Sequence, residues 1–109
     1  MSNAFEKAAK ERQRQINEEG FSYSHDDEYV DGDLAAAGAS YAAICEDIVR
    51  GGKSALDWQS PAFWPWPEHW WKPSEDPKRN IIKAMALLAA EYERIERQEL
   101  SEQGPRPAG

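Results

Sequence analysis

Cysteine is nearly absent from this chain of 109 residues, which contains only Cys45. A single cysteine excludes an internal disulfide and a paired-cysteine metal motif, so Cys45 is predicted to be a buried, inert thiol. Long apolar runs and targeting segments are also missing, which argues against a membrane-spanning helix and predicts a protein of the cytoplasm of the cell that makes it.

Basic residues are in the minority. The chain has 13 Lys and Arg against 20 Asp and Glu, and its formal net charge is −7. Because binding to a phosphate backbone depends on clustered Lys and Arg, direct nucleic-acid backbone binding is not expected. An acidic surface of this kind keeps a protein soluble or engages a basic groove on another protein.

Catalytic motifs and strand patterns are missing as well. The sequence has no P-loop, no GxGxxG and no HExxH. His69 has no nucleophile at a spacing that suggests a Ser/His/Asp or Cys/His arrangement. Since no stretch alternates between apolar and polar residues, the chain is expected to form one all-α domain over 1–102, with a disordered tail over 103–109.

The first predicted helix covers 3–19. Asn3 and Glu6 match a capping box at its start, and Gly20 supplies its stop. The segment 21–33 is rich in Ser, Asp and Gly and is predicted to be a loop or broken turn.

The second predicted helix covers 33–50 and is rich in small residues, with six Ala and one Gly. Small residues permit close approach between helices, so this helix is expected to be the most buried. Asp31 or Asp33 can cap its start, and Gly51 ends it.

The third predicted helix begins at Asp76 and Pro77, with Asp76 as N-cap and Pro77 as the first helical residue. Its apolar stripe repeats at 3.5-residue spacing and consists of Ile81, Met85, Leu88, Tyr92 and Ile95. Its exposed face is predicted to carry Lys78, Arg79, Glu91, Glu93, Arg94 and Arg97. The fold class is therefore a three-helix all-α domain.

Tryptophan and proline are abundant in the segment between the second and third predicted helices. Residues 58–77 contain all five tryptophans and five of the seven prolines. Prolines forbid regular helix or strand, and tryptophans bury large rigid surfaces. This irregular segment is predicted to pack across the helices, with at least three indoles largely buried. It either completes the core or forms an aromatic-walled pocket or interface, whose candidate ligand-binding residues are Trp66, Trp70, Trp71 and Lys72. Trp71 is the candidate for the exposed member of the Trp70–Trp71 pair.

The polar candidates lie on the first helix and in the loop after it. Arg12 and Gln15 share one helix face, and the loop carries His25, Asp26 and Asp27. Arg12 is predicted to pair with Asp26 or Asp27, with His25 beside them. The alternative is an anion or nucleotide phosphate site on Arg12. The acids of the loop either cap helices or converge on a cation. Carboxylates alone would suit Mg²⁺ or Ca²⁺, and carboxylates together with His25 would suit Zn²⁺. The residue spacing of an EF-hand is not present.

Several of these elements together resemble a family of small uncharacterised phage and prophage proteins. The likeness covers most of residues 11–97 and is carried by ERQRQ, the HDD of the loop, the WPW…WWKP of the tryptophan segment and KRNIIKAMALLAAEYERI. It implies a phage setting, in which small accessory proteins block or modify host machinery, including antiviral defence.

A weaker likeness is to the MazG-like all-α nucleotide pyrophosphohydrolases, which also open with an ERxRQ helix and end in an Ala/Leu-rich helix. Their metal site needs an EExxE helix and a later ExxD, and the second helix here offers only Glu46 and Asp47. The ligands of that site therefore do not carry over to this chain.

The sequence favours a phage-type accessory protein that binds a host protein or a small nucleotide-like ligand without covalent chemistry or a cofactor. The alternative is a divergent nucleotide pyrophosphohydrolase that depends on Mg²⁺ or Mn²⁺. A homodimer is also predicted, because the apolar stripe of the third helix is wider than so small a domain can cover.

Overall fold

The computed structural model describes residues 3–20, 22–51 and 59–103. Within these ranges the chain forms no strand and has four α-helices: α1 (Ala4–Glu18), α2 (Tyr23–Asp26), α3 (Asp33–Val49) and α4 (Pro77–Gln103). A 3₁₀ turn at Glu68–Trp70 interrupts the segment between α3 and α4. The all-α prediction is thus confirmed for the described part of the chain. No helix in these ranges combines the length and apolar character that crossing a bilayer requires.

The helix ends follow the capping residues of the sequence. The Asn3 side chain accepts a hydrogen bond from the Glu6 N–H at 2.9 Å, as the capping box predicts. Gly20 has a φ of +75°, a conformation that side-chain-bearing residues rarely adopt, and the chain turns there after α1. The Asp76 carboxylate accepts from the Lys78 N–H at 2.9 Å at the start of α4. The predicted tail lies outside the described residues apart from Gln103, where α4 ends.

Two local predictions are corrected. The segment predicted as a loop contains the one-turn helix α2, because the Ser22 side chain caps it by accepting from the His25 N–H. Neither Asp31 nor Asp33 caps α3. The N-cap is Gly32, whose φ of +84° places the chain in the left-handed region, and no side chain caps this end.

α3 and α4 pack against each other and form the centre of the fold, and α1 and α2 lie against α4. The core is small, and most of its buried apolar residues come from these two helices: Leu34, Ala37, Tyr41, Ile44, Ala84, Leu87 and Ala90. Cys45 is only half-buried, so the prediction of a buried thiol holds in part.

The orientation of α4 about its axis differs from the prediction. Its inward row consists of Asn80, Ala84, Leu87, Glu91 and Arg94, all of them buried. Glu91 and Arg94, predicted to be exposed, instead form an ion pair with each other. The reason lies in α3, whose small residues bring the two helix backbones close together. A Cβ placed on Gly38 would lie 3.1 Å from Leu88 and 3.3 Å from the Ala84 carbonyl oxygen.

The tryptophan segment closes one side of this helix pair. Trp71 is buried, Trp64 and Trp66 are partly buried against the core, and Trp70 is 38% exposed. Of the four described indoles, one belongs to the core and two pack against it partly buried, which bears out the predicted burial of at least three indoles only in part, and Trp58 lies outside the described residues. Trp71 is the buried member of the Trp70–Trp71 pair, the reverse of the exposed role considered from sequence. Its ring centroid lies 4.8 Å from that of Tyr41, and the residue is 8% exposed.

Candidate ligand pocket

A charged cluster links α1 to the loop that follows it. Asp26 is fully buried and accepts a hydrogen bond from Nη2 of Arg12 at 2.9 Å. Nδ1 of His25 lies 3.3 Å from the other carboxylate oxygen of Asp26. Arg12 also reaches Glu93 on α4 at 3.4 Å. The predicted Arg12–Asp26 pair, with His25 beside it, is confirmed, and it ties three helices together.

The second loop acid has a separate partner. Both Nε and Nη2 of Arg97 donate to Oδ1 of Asp27, at 2.9 and 2.7 Å. This hydrogen bond raises the pKa of Arg97. Asp26 and Asp27 thus each face a guanidinium and do not converge on one point. Among the described residues, no group of three His, Cys, Asp or Glu side chains is placed to hold a metal ion.

A row of aromatic rings connects this cluster to the tryptophan segment. The Tyr29 hydroxyl lies 3.1 Å from Nε2 of His25, and the Tyr29 ring packs 5.5 Å from the Trp66 ring. Trp66 in turn contacts Trp64 at 5.3 Å and Trp70 at 5.7 Å between ring centroids. The position of the indoles therefore depends on the charged cluster as well as on the core.

The indoles face α1 across a pocket of about 380 Å³. We call it the tryptophan pocket. One wall is the polar face of α1, the opposite wall is the tryptophan segment, and α3 and α4 form the floor. Its lining residues are Glu11, Arg14, Gln15, Glu18, Glu19, Tyr41, Trp64, Trp66, His69, Trp70, Lys72, Lys83 and Leu87.

Glu11 organises the α1 wall. It is 3% exposed and accepts two hydrogen bonds from Arg14, at 2.8 and 2.7 Å. Arg79 of α4 lies 2.7 Å from the same carboxylate. Burial on its own would raise the pKa of Glu11, but the hydrogen bonds and charges of Arg14 and Arg79 outweigh it and hold that pKa below its usual value. A charged carboxylate is therefore fixed at the back of the pocket.

Gln15 has an unused acceptor beside the pocket. It is 2% exposed, and its Nε2 donates to Glu11 at 3.2 Å. The carboxylate of Glu11 is an acceptor only, so it fixes the amide with Nε2 towards it and Oε1 away from it. Oε1 is buried and has no hydrogen-bond partner within 3–20, 22–51 and 59–103. A buried acceptor without a donor is uncommon and costs free energy.

The floor of the pocket carries a phenol and an ammonium group. Burial raises the pKa of Tyr41 to about 12, and its hydroxyl accepts from the Lys72 N–H at 3.3 Å. Nζ of Lys83 donates to the Lys72 carbonyl at 2.7 Å and lies 5.4 Å from the centre of the Tyr41 ring. Burial lowers the pKa of Lys83, since the ammonium ion has lost part of its water. An anionic group entering the pocket would replace that lost solvation.

The candidate residues from sequence fall into three places. Gln15, Trp66, Trp70 and Lys72 line the pocket. Trp71 belongs to the core behind it. The other four, Arg12, His25, Asp26 and Asp27, form the charged cluster, where they pair with side chains of the chain itself.

Sequence reasoning missed several residues of the pocket. Glu11, Arg14 and Glu18 recur at helical spacing beside Gln15, so a continuous polar face on α1 was the signal that could have indicated them. Tyr41 and Lys83 gave no such signal, because their place depends on how α3 and α4 pack.

Comparison of the chain with protein-family models, with curated proteins and with solved structures finds no match.

Proposed function

We propose that this protein binds a small nucleotide-like ligand in the tryptophan pocket, as a phage-type accessory protein that sequesters its ligand without converting it. The observation that carries the proposal is the orphaned Oε1 of Gln15, a residue that lines the pocket together with Glu11 and the indoles. A ligand that supplies an N–H to this oxygen removes the cost of leaving it unpaired.

The shape and lining of the pocket favour a flat ring. Its volume of about 380 Å³ lies within the usual range for small-molecule sites. Trp70 offers its ring with 38% of the residue exposed, and Trp64 and Trp66 line the wall beside it. Stacking of a nucleobase on an aromatic side chain contributes about 1–3 kcal/mol. A nucleobase has a flat face that can stack on Trp70 and an N–H that can donate to Oε1 of Gln15.

The charges of the pocket suit the rest of a nucleotide. Lys72 and Lys83 stand on the side of the tryptophan segment and α4, while Glu18 and Glu19 stand on α1. A phosphate would lie towards the lysines, and sugar hydroxyl groups would donate to the carboxylates. Sequestering such a ligand suits the anti-defence setting that the phage likeness implies.

The alternative of a divalent-metal-dependent nucleotide pyrophosphohydrolase has less support. The acids proposed to converge, Asp26 and Asp27, each face an arginine. A protein–protein interface on the same segment is also less favoured, since the polar groups of the pocket point into a concavity and not onto a flat surface.

Isothermal titration calorimetry with a panel of nucleosides and nucleoside monophosphates tests the proposal. Gln15→Met removes the acceptor at similar length and should weaken binding about tenfold, the equivalent of one neutral hydrogen bond. Trp70→Ala should weaken it by a similar factor and leave the fold intact. Gln13→Met, an exposed site on the same helix, serves as the control and should bind like the wild type.

Two results would overturn the proposal. One is the absence of binding by every compound of the panel. The other is release of phosphate or pyrophosphate from a nucleoside triphosphate in the presence of Mg²⁺ or Mn²⁺, lost in Asp26→Asn with Asp27→Asn, which would establish the hydrolase. Equal affinity of Gln15→Met and the wild type would remove Gln15 from the site.

A further inference from the structure

The apolar stripe of α4 faces solvent. Ile81, Leu88, Tyr92 and Ile95 are 38%, 48%, 65% and 41% exposed. They keep the 3.5-residue spacing of a coiled-coil seam, in which two helices supercoil around a shared apolar contact. A row of large apolar side chains along one helix marks an interaction surface more often than chance exposure does.

The neighbouring helix supplies a trough of small residues beside this row. Gly38 of α3 packs against Leu88 so closely that a Cβ on it would meet Leu88 at 3.1 Å. Ala35, Ala42 and Val49 lie on the same face of α3 by helical spacing, with Val49 71% exposed. The surface thus combines a ridge of large side chains on α4 with a trough of small residues beside it on α3.

We propose that this face, α3 and α4 together, is the interface of an antiparallel homodimer centred on Leu88. The two ends of the apolar seam carry opposite charges. Continuing its 3.5-residue spacing outward from Ile81 and Ile95 leads to Lys78 at one end and Glu99 at the other, and both are exposed. Antiparallel pairing places Lys78 of each copy against Glu99 of the other. Parallel pairing would set like charges against each other at both ends, which is unfavourable.

The register is symmetric about its middle. Leu88 lies midway between Ile81 and Ile95, so an axis through Leu88 pairs Ile81 with Ile95 of the second copy. The same axis brings Met85 close to Tyr92. Each large side chain of the seam therefore contacts a large side chain of the second copy. A twofold-symmetric interface requires this match, because the same surface of both copies forms it.

The surface area that the two copies would bury against each other is sufficient for a stable dimer. The seam from Lys78 to Glu99 is roughly 32 Å long at the helical rise per residue, and two adjacent helices present a face roughly 20 Å wide. Two such faces bury on the order of 1,200 Å² in total, the lower end of the range for specific stable interfaces.

Sedimentation equilibrium tests the proposal through the oligomeric state. The wild type should sediment at twice the chain mass of 12.4 kDa, with a mass that falls on dilution. Tyr92→Lys places a charge on the most exposed side chain of the seam and should raise the dimer Kd about tenfold or more. Leu100→Glu is the matched control, because Leu100 is 68% exposed on α4 but lies off the seam, and its Kd should stay that of the wild type.

A charge exchange tests the orientation. Lys78→Glu alone and Glu99→Lys alone should each weaken the dimer, since each sets like charges together in the antiparallel pair. The double variant should restore wild-type affinity. A monomer at concentrations far above micromolar, or a dimer indifferent to Tyr92→Lys, overturns the interface, and a double variant weaker than either single one overturns the antiparallel arrangement.

Discussion

Replacing Glu11 by Gln isolates the contribution of the buried carboxylate. The change keeps the size of the side chain but removes the charge that faces Arg14 and Arg79. Removing one partner of a fully buried ion pair costs about 3–5 kcal/mol. Here the arginines keep roughly a third of their side chains in contact with solvent, 32% for Arg14 and 36% for Arg79, so they can turn partly to water. We therefore expect Glu11→Gln to lower the free energy of unfolding by about 2–4 kcal/mol.

Glu18→Gln is the control for this change. Glu18 lies on the same helix and contacts the same Arg14, at 3.3 Å, but its side chain is 66% exposed. Exposed ion pairs contribute about 0.2–1 kcal/mol, so this variant should unfold close to the wild type in urea. Equal losses from the two substitutions would refute the reasoning, because burial would then not be what makes Glu11 matter.

The pH dependence of the same pair of proteins gives a second measure. The pKa of Glu11 is lowered in the folded state from its ordinary value of 4.5. Its contribution to stability is therefore present above pH 4.5 and is lost as the pH falls towards the folded-state pKa. Stability of the wild type should fall more steeply over this acid range than that of Glu11→Gln, measured by urea unfolding at a series of pH values.

Three further changes test other parts of the fold. The pKa of Tyr41 should be about 12 in place of 10.0 when it is followed by tyrosinate absorbance. Its contribution of about 2–3 kcal/mol to the free energy of unfolding is present below pH 10 and should be lost as the pH rises through 12. Tyr41→Phe should not show this loss. Asn80→Ala should cost about 2–4 kcal/mol in urea unfolding, because buried Asn80 makes two hydrogen bonds of 2.8 Å to the backbone of Ser74. Ser74→Ala keeps both bonds and removes only the exposed bond that its hydroxyl accepts from the Asp76 N–H, so it should cost about 1 kcal/mol or less. Trp71→Ala should lower the free energy of unfolding by about 3–5 kcal/mol and Trp70→Ala by far less, a difference that thermal and urea unfolding would both show.

Much of the local structure could be predicted because it depends on neighbouring residues alone. Asn3 and Glu6 at one helix start, Asp76 and Pro77 at another, and the glycine after α1 each act within one turn of the chain. The Arg12–Asp26 pair was also within reach, since α1 and the loop after it are close in sequence and a buried arginine requires an acid.

The orientation of α4 could not be predicted from its own sequence. A pattern rule places large apolar residues inside, and Leu88 and Tyr92 fit that rule. The inward face is decided by the surface it meets: the close approach at Gly38 of α3 favours a small residue such as Ala84 there, and the same inward row also accepts Leu87 and the Glu91–Arg94 ion pair. The tryptophan segment was predicted to form either core or an aromatic-walled pocket, but the residues that α3 and α4 contribute to the pocket could not be predicted, because their place depends on how the helices pack.

The composition of α3 accounts for both surfaces. With six Ala and one Gly among its 17 residues, α3 brings α4 close but provides less volume than larger side chains would to fill a core at normal packing density. On one side of the helix pair the missing volume is supplied by indoles, with Trp71 and Trp64 packed around Tyr41 at 4.8 and 5.8 Å. On the other side of the helix pair Leu88 packs against Gly38 but stays 48% exposed, and Ile81, Tyr92 and Ile95 of the same row are 38–65% exposed. A second copy would cover that side as the tryptophan segment covers the first.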